Sequence, residues 1–128
     1  MSSELPVAPE FSITTSSLNG AAIVSLSGEL DLTTAPQLEE ELVACDGNQP
    51  VIVDLTALTF IDSSGVHVLL GERGSRKPAA LVIAPESHVA RVFEIVCASQ
   101  VLLVCHDLET AIKSSGNTAG RHQTSLAT

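Results

Sequence analysis

Short apolar runs and polar breaks alternate along the chain, and the runs predict strands. In "FSITTSSLNGAAIVSL" two stretches of strand character flank Asn19-Gly20, a dipeptide that favours the tight turn of a β-hairpin. The nearly continuous apolar runs "VIVDL", "AALVIA" and "VLLVC" are typical of strands that are covered on both faces. The pattern therefore predicts a hairpin followed by buried strands.

Apolar residues at helical spacing predict helices between and after these strands. "TTAPQLEEELVAC" places Thr34 and Gln37 at the spacing of a capping box, with Pro36 in the first turn. The serine pair of "IDSSGVHVLL" begins a second helix that ends near Gly74. "ESHVARVFEIV" and "DLETAIKSS", the latter with Asp107 as its cap, predict two more helices.

Strands that alternate with helices indicate one α/β domain. We expect a mixed, mostly parallel sheet of four to five strands, about four helices and an N-terminal β-hairpin. Residues 1–10 are polar with two prolines and are predicted to form a flexible arm. Residues 11–113 form the domain, and 114–128 are small, polar and unpatterned, which predicts a disordered tail.

Charge and targeting signals narrow the classes of partner. The formal net charge is −9, from 15 acidic against 6 basic residues, so a nucleic-acid backbone would be repelled. No apolar stretch is long enough to cross a bilayer, and "MSSELPVAPE" lacks the features of a signal peptide. We expect a cytoplasmic protein that contacts neither nucleic acid nor membrane.

The three cysteines, Cys45, Cys97 and Cys105, have neither disulfide-framework nor zinc-site spacing. In a reducing compartment they are interpreted as small buried apolar residues, and a Cys97–Cys105 redox pair is the alternative. The sequence predicts no metal site and no cofactor.

The stretch "IDSSGVHVLL" has several interpretations. Asp62, Ser63 or Ser64 can cap the following helix. A serine nucleophile with His67 as its base would make a hydrolase, but the G-x-S-x-G elbow is absent. Glycine-rich phosphate-binding loops are also absent. In the last interpretation one serine accepts a phosphoryl group, whose charge would prevent a partner from docking.

Two blocks, "SGELDLTTAPQLEEEL" and "VIVDLTALTFIDSSGVHVLL", resemble the STAS domain of bacterial anti-sigma factor antagonists. "RVFEIV" resembles the helix that follows in that family, and the similarity covers roughly residues 11–113. The resemblance implies the STAS fold and a binding protein rather than an enzyme. It also implies partner switching: the unphosphorylated antagonist binds an anti-sigma factor that is a serine kinase and so frees a sigma factor. The kinase uses ATP to phosphorylate the antagonist, which then dissociates, and a serine phosphatase restores it.

The resemblance assigns roles to residues at one corner of the domain. The phosphorylation site is Ser63, the hydroxyl residue directly after Asp62, and Asp31 matches the acid of the "GELD" loop beside it. His67 replaces a glycine of the family pattern "SSGLGVLL". It either faces solvent, or it tunes partner choice or pairs weakly with the phosphate. The predicted partner-binding residues are Glu29, Asp31, Thr33, Asp62, Ser63, Ser64, Val66 and His67.

Two other roles of small STAS domains remain open. The chain could be a structural subunit of a lipid-transport complex or of a stressosome scaffold, and in either role no phosphate turns over. Co-purification with an ATPase subunit, or assembly into a large particle, would identify these roles. For the antagonist itself we expect a monomer or a weak dimer.

Overall fold

The hairpin at Asn19-Gly20 starts the sheet of this computed structural model, which describes residues 10–45, 47–72, 74, 76–96 and 103–121. Both turn residues have positive φ, 51° and 84°, as a primed hairpin turn requires. Strands β1 (Ser12–Leu18) and β2 (Ala21–Leu30) pair antiparallel on either side of this turn. The predicted hairpin is confirmed.

Three further strands add to β2 in parallel. They are β3 (Val51–Ile61), β4 (Ala80–Val82) and β5 (Val104–Cys105). Across the described ranges the sheet has five strands in the order β1-β2-β3-β4-β5, which confirms the mixed, mostly parallel sheet. The strand predicted at "VIVDL" continues through "TALTFI". In this continuation the register with β2 shifts, and exposed residues interrupt the apolar pattern.

The helices of the described chain are α1 (Ala35–Ala44), α2 (Ser63–Leu69), α3 (His88–Val96) and α4 (Leu108–Arg121). Buried residues of α1, α2 and α3 share one core cluster with one face of the sheet, and α4 packs on the other face. Successive strand residues point to opposite faces, so the sheet separates the two clusters. Each fully buried Leu or Ile stabilises the fold by about 1.5–3 kcal/mol.

Two predicted boundaries need correction. Helix α2 ends at Leu69, and the chain then forms turns at residues 70–72, so the helix does not reach Gly74. Helix α4 continues to Arg121, although disorder was expected from residue 114. Ser115, just past the expected boundary, is buried, so the helix still packs against the domain at that residue. The expected arm, except for Glu10, and residues 122–128 of the expected tail lie outside the described residues.

The described cysteines are free thiols in or near the core. Cys105 is buried and Cys45 is half-buried, and the Sγ atom of Cys45 lies 3.3 Å from the carbonyl oxygen of Glu41. Burial raises the pKa of both thiols. Cys97 lies outside the described residues, as does the alternative redox pair that includes it.

Within the described ranges, the helices lack the length and apolar character needed to cross a membrane.

Candidate partner-binding site

The parallel strands β2 and β3 end side by side, and the candidate site lies at the edge of the sheet formed by their carboxyl ends. Leu30, the last residue of β2, pairs with Ile61, the last residue of β3. The next residue in each chain segment is an aspartate, Asp31 or Asp62. The backbone N–H of Asp62 donates to the carbonyl of Leu30 at 3.1 Å. The parallel pairing therefore brings the predicted site residues Asp31 and Asp62 to the same edge of the sheet.

Asp62 caps helix α2. Its Oδ1 accepts hydrogen bonds from the backbone N–H groups of Ser64 at 2.9 Å and Gly65 at 3.3 Å. An N-cap of this kind stabilises a helix by about 1 kcal/mol. The capping interpretation is confirmed for Asp62. Because the carboxylate accepts both N–H groups, the cap does not depend on the hydroxyl of Ser63, which is exposed.

Gly65 sets how closely α2 approaches the sheet. The residue is buried, and a Cβ atom at this position would lie 2.6 Å from Cγ and 2.7 Å from Cδ2 of Leu30. Carbon atoms in good contact are about 3.5–4.0 Å apart, so any side chain here would push the helix or Leu30 away. Glycine thus lets the first turn of α2 pack directly on the end of β2.

Asp31 organises the loop after β2 in a similar way. Its Oδ1 accepts from the Thr33 hydroxyl at 2.8 Å and from the backbone N–H groups of Thr33 and Thr34 at 3.0 and 3.2 Å. The Thr33 hydroxyl contributes most to holding the pKa of Asp31 below its ordinary value; partial desolvation opposes this, and the backbone donors add to it. The loop is therefore built around an ionised carboxylate.

Thr34 does not form the predicted capping box with Gln37. Its side chain makes no cap hydrogen bond to α1. Instead its Oγ1 accepts from the backbone N–H of Asp31 at 2.8 Å and donates to the carbonyl of Glu29 at 2.9 Å. The hydroxyl ties the loop back to β2. The sequence has the spacing of a capping box, but the Thr34 side chain bonds to β2 and its loop and not to the helix.

The predicted site residues gather at this edge with one exception. Thr33, Ser63 and His67 are exposed, and Glu29, Asp31, Asp62 and Ser64 are half-buried. Val66 has 0% of its surface exposed, so its prediction as a contact residue needs correction. Val66 follows the cap by one turn, and its side chain packs in the core that α2 shares with the sheet.

His67 lies on the outer face of α2. Half of its side chain is exposed, and its Nδ1 is 3.7 Å from Oε1 of Glu72. This position agrees with the interpretation of His67 as a solvent-facing residue. An exposed pair of this kind contributes little to stability.

Sequence reasoning missed an exposed aromatic pair beside the site. The rings of Phe60, near the end of β3, and His88, at the start of α3, stack with centroids 5.3 Å apart and planes 10° from parallel. Phe60 lies in "TALTFI", after the predicted strand "VIVDL", and the sequence pattern predicts neither burial nor exposure for it. The register shifts in β3 bring its ring to the surface.

Comparisons with known proteins agree with this architecture. The family model of the STAS domain matches residues 12–111. The chain is 39% identical over 59 residues to the anti-sigma-F factor antagonist RsfB of Mycobacterium tuberculosis, covering 44% of this chain and 48% of that protein, about half its length. It is 30% identical over 77 residues to an anti-sigma-B factor antagonist of Staphylococcus aureus, covering 56% of this chain and 71% of that protein.

Solved structures show the same fold. An anti-sigma factor antagonist from Mycobacterium paratuberculosis superposes with a TM-score of 0.71 at 24% identity, covering 84% of this chain and 95% of that one. The antagonist SpoIIAA in its unphosphorylated form gives a TM-score of 0.54 at 19% identity, covering 84% and 98%. At these identities the likeness shows the fold alone, and it confirms the predicted STAS architecture.

Proposed function

Because the chain belongs to the STAS-domain family of anti-sigma factor antagonists, we propose that it binds an anti-sigma factor that is also a serine kinase. Binding of the unphosphorylated chain frees a sigma factor and so activates transcription. The kinase transfers the γ-phosphoryl group of ATP to Oγ of Ser63, releasing ADP and a proton, and the complex then dissociates. Hydrolysis of the phosphoserine by a phosphatase restores binding.

The exposed hydroxyl of Ser63 is the observation that carries this proposal. The side chain is accessible to a second protein, and the α2 cap is made by the carboxylate of Asp62. Esterification of Ser63 therefore leaves the hydrogen bonds that hold the start of α2 intact. A modification of this kind changes the surface while the fold persists, as a reversible switch of partner binding requires.

The local charges explain why phosphorylation would end binding. A phosphoserine adds about −1.5 to −2 charges beside three carboxylates, those of Glu29, Asp31 and Asp62. The loop at residues 31–34 and the first turn of α2 contain no Lys or Arg, so the corner itself supplies no cation to neutralise the phosphate. A partner that buries this corner must desolvate the added charge, which is costly unless the charge is paired.

We propose that the protein acts in the cytoplasm by binding and as a kinase substrate, without catalysing a reaction of its own. Supporting this role, the His67 imidazole lies near Glu72 on the outer face of α2, an arrangement that does not resemble a Ser–His nucleophile.

The acceptor is tested by incubating the chain with the purified anti-sigma factor of its source organism and ATP, followed by peptide mass spectrometry. Phosphate is expected on Ser63 in the wild type and in Ser64→Ala, and none in Ser63→Ala. Ser63→Ala should still bind the anti-sigma factor, whereas Ser63→Asp should bind it more weakly. Phosphate found on Ser64 alone would contradict the assignment. Co-purification with an ATPase subunit, with no phosphate turnover, would point to a transport subunit instead.

A further inference from the structure

The loops after β2 and β3 share one hydrogen-bonding pattern. In each, the Oδ1 atom of the aspartate accepts the backbone N–H groups of the second and third residues after it. The first residue after each aspartate donates neither of these hydrogen bonds, and it is exposed. In the β3 loop this residue is Ser63, and in the β2 loop it is Leu32, which is 67% exposed. The geometry thus places a large apolar side chain and the proposed phosphoacceptor at equivalent positions, two residues after the ends of adjacent strands.

Phe60 adds a second exposed apolar side chain at the same edge. It pairs with Glu29 in the sheet register, one residue before the ends of both strands. Its surface is 38% exposed, and its ring is held against the imidazole of His88. A ring that is stacked on a neighbour loses less conformational entropy when a partner covers it than an unrestrained side chain does. Phe60 is therefore pre-organised for contact.

The other exposed large apolar residues of the described chain lie away from this edge. Val43 and Ile95 are the clearest examples, at 69% and 80% exposure. Both lie in the last turns of α1 and α3, helices that begin at the edge and run away from it. They serve as matched controls, because they are at least as exposed as Leu32 and Phe60 but distant from Ser63.

Three acidic residues lie at the same edge as the two apolar side chains. The carboxylates of Glu29, Asp31 and Asp62 lie at the same edge because β2 and β3 end together, and the whole chain carries a net charge of −9. Apolar side chains that share an edge with several carboxylates fit a partner that presents an apolar recess bordered by the opposite charge.

We infer that Leu32 and Phe60 are the apolar anchors of the docking surface, and that the anti-sigma factor receives them in an apolar recess bordered by Lys and Arg side chains. The inference rests on the proposed function and adds the residues and the partner chemistry that determine affinity. It also explains how phosphorylation acts, because a phosphate on Ser63 would stand beside the anchor Leu32 and carry its hydration shell into the recess.

The two kinds of group should affect different rate constants. Surface charges accelerate encounter with an oppositely charged partner, so added salt and Glu29→Gln should lower the association rate. Buried apolar anchors act mainly on dissociation. Leu32→Ala and Phe60→Ala should therefore each raise the dissociation rate about tenfold or more while leaving the association rate near that of the wild type.

The experiment measures association and dissociation rates by surface plasmon resonance on the immobilised, purified anti-sigma factor of the source organism. The variants are Leu32→Ala and Phe60→Ala, with Val43→Ala and Ile95→Ala as controls and Leu32→Met as a conservative replacement. The controls and Leu32→Met should dissociate at the wild-type rate. Thermal unfolding of each variant is measured in parallel. If Phe60→Ala lowers the melting temperature, Leu32→Ala, whose side chain is two-thirds exposed, carries the test alone.

Including Ser63→Asp in the binding experiment distinguishes failure of the anchor proposal from failure of the proposed function. If Ser63→Asp weakens binding but both folded anchor variants dissociate at the wild-type rate, the anchors are refuted and the proposed function stands. Equal effects in the anchor variants and the controls also refute them. If the wild type binds no anti-sigma factor of its source organism, both proposals are overturned.

Discussion

The loop after β2 and the loop after β3 are held by the same kind of hydrogen bonds but expose different side chains. Each aspartate accepts two successive backbone N–H groups through one oxygen. Thr33 and Thr34 add hydroxyl contacts around Asp31, whereas in the other loop a buried glycine brings the helix onto Leu30. The displayed residue is Leu32 in the first loop and Ser63 in the second. In both loops a carboxylate that accepts the backbone N–H groups leaves the neighbouring side chain available for binding or modification.

Gly65→Ala should have the largest effect on stability, because the new Cβ would overlap the fully buried Leu30. Overpacking of this kind costs about 1–3 kcal/mol, which exceeds the gain of up to about 1 kcal/mol from replacing a helical glycine. Chemical denaturation measures the change. Gly47→Ala is the matched control, since a Cβ there meets nothing within 4 Å. Equal stability of Gly65→Ala and the wild type would show that the contact with Leu30 is not tight.

Asp62→Ala should lower the free energy of unfolding by about 1 kcal/mol, because the N–H groups of Ser64 and Gly65 lose their acceptor. Asp62→Asn should retain most of the stability, since asparagine caps helices about as well as aspartate. Denaturant titration of the three proteins distinguishes the cap from the charge. A full loss of stability in Asp62→Asn would show that the negative charge, and not the hydrogen bonds, holds the start of α2.

The smallest effect should be the acid dependence contributed by Asp31. Its pKa in the folded chain lies below the ordinary value of an aspartate, chiefly because of the hydrogen bond from the Thr33 hydroxyl. The stabilisation is therefore present above the unfolded-state pKa and is lost as the pH falls through the lower folded-state pKa. Asp31→Asn should lose less stability than the wild type when the pH falls from 7 to 3.

Asp107 contributes acid dependence of the same sign, since the backbone N–H of Thr110 is the main cause of its lowered pKa. Asp107→Asn should flatten the pH profile further when it is combined with Asp31→Asn. Stability curves at several pH values check both variants. Identical slopes for the wild type and Asp31→Asn would contradict the role of the ionised Asp31 in its loop.

Local signals in the sequence were sufficient for much of the fold. Asn19-Gly20 determines the hairpin through backbone conformations that these two residues tolerate. The Asp62 cap also depends on near neighbours, and it agrees with the structure. These features were predictable because each involves residues a few positions apart.

The differences from the predictions come from contacts between distant segments. The second half of β3 is a strand because it pairs with β2 through an irregular register, and its own pattern does not indicate this. Thr34 bonds to β2 instead of its helix. At the candidate site the sequence indicated which loops meet. The burial of Val66 depends on how α2 packs on the sheet, and the exposure of Phe60 follows from the irregular register of β3 with β2.

Control of partner binding by Ser63 is tested by the affinity of the purified anti-sigma factor for two forms of the chain, unmodified and stoichiometrically phosphorylated on Ser63. Isothermal titration calorimetry should give tight binding for the first form and binding at least about tenfold weaker for the second, because the added dianion enters an acidic corner. Equal affinities for the two forms would contradict the proposal that phosphorylation of Ser63 ends partner binding.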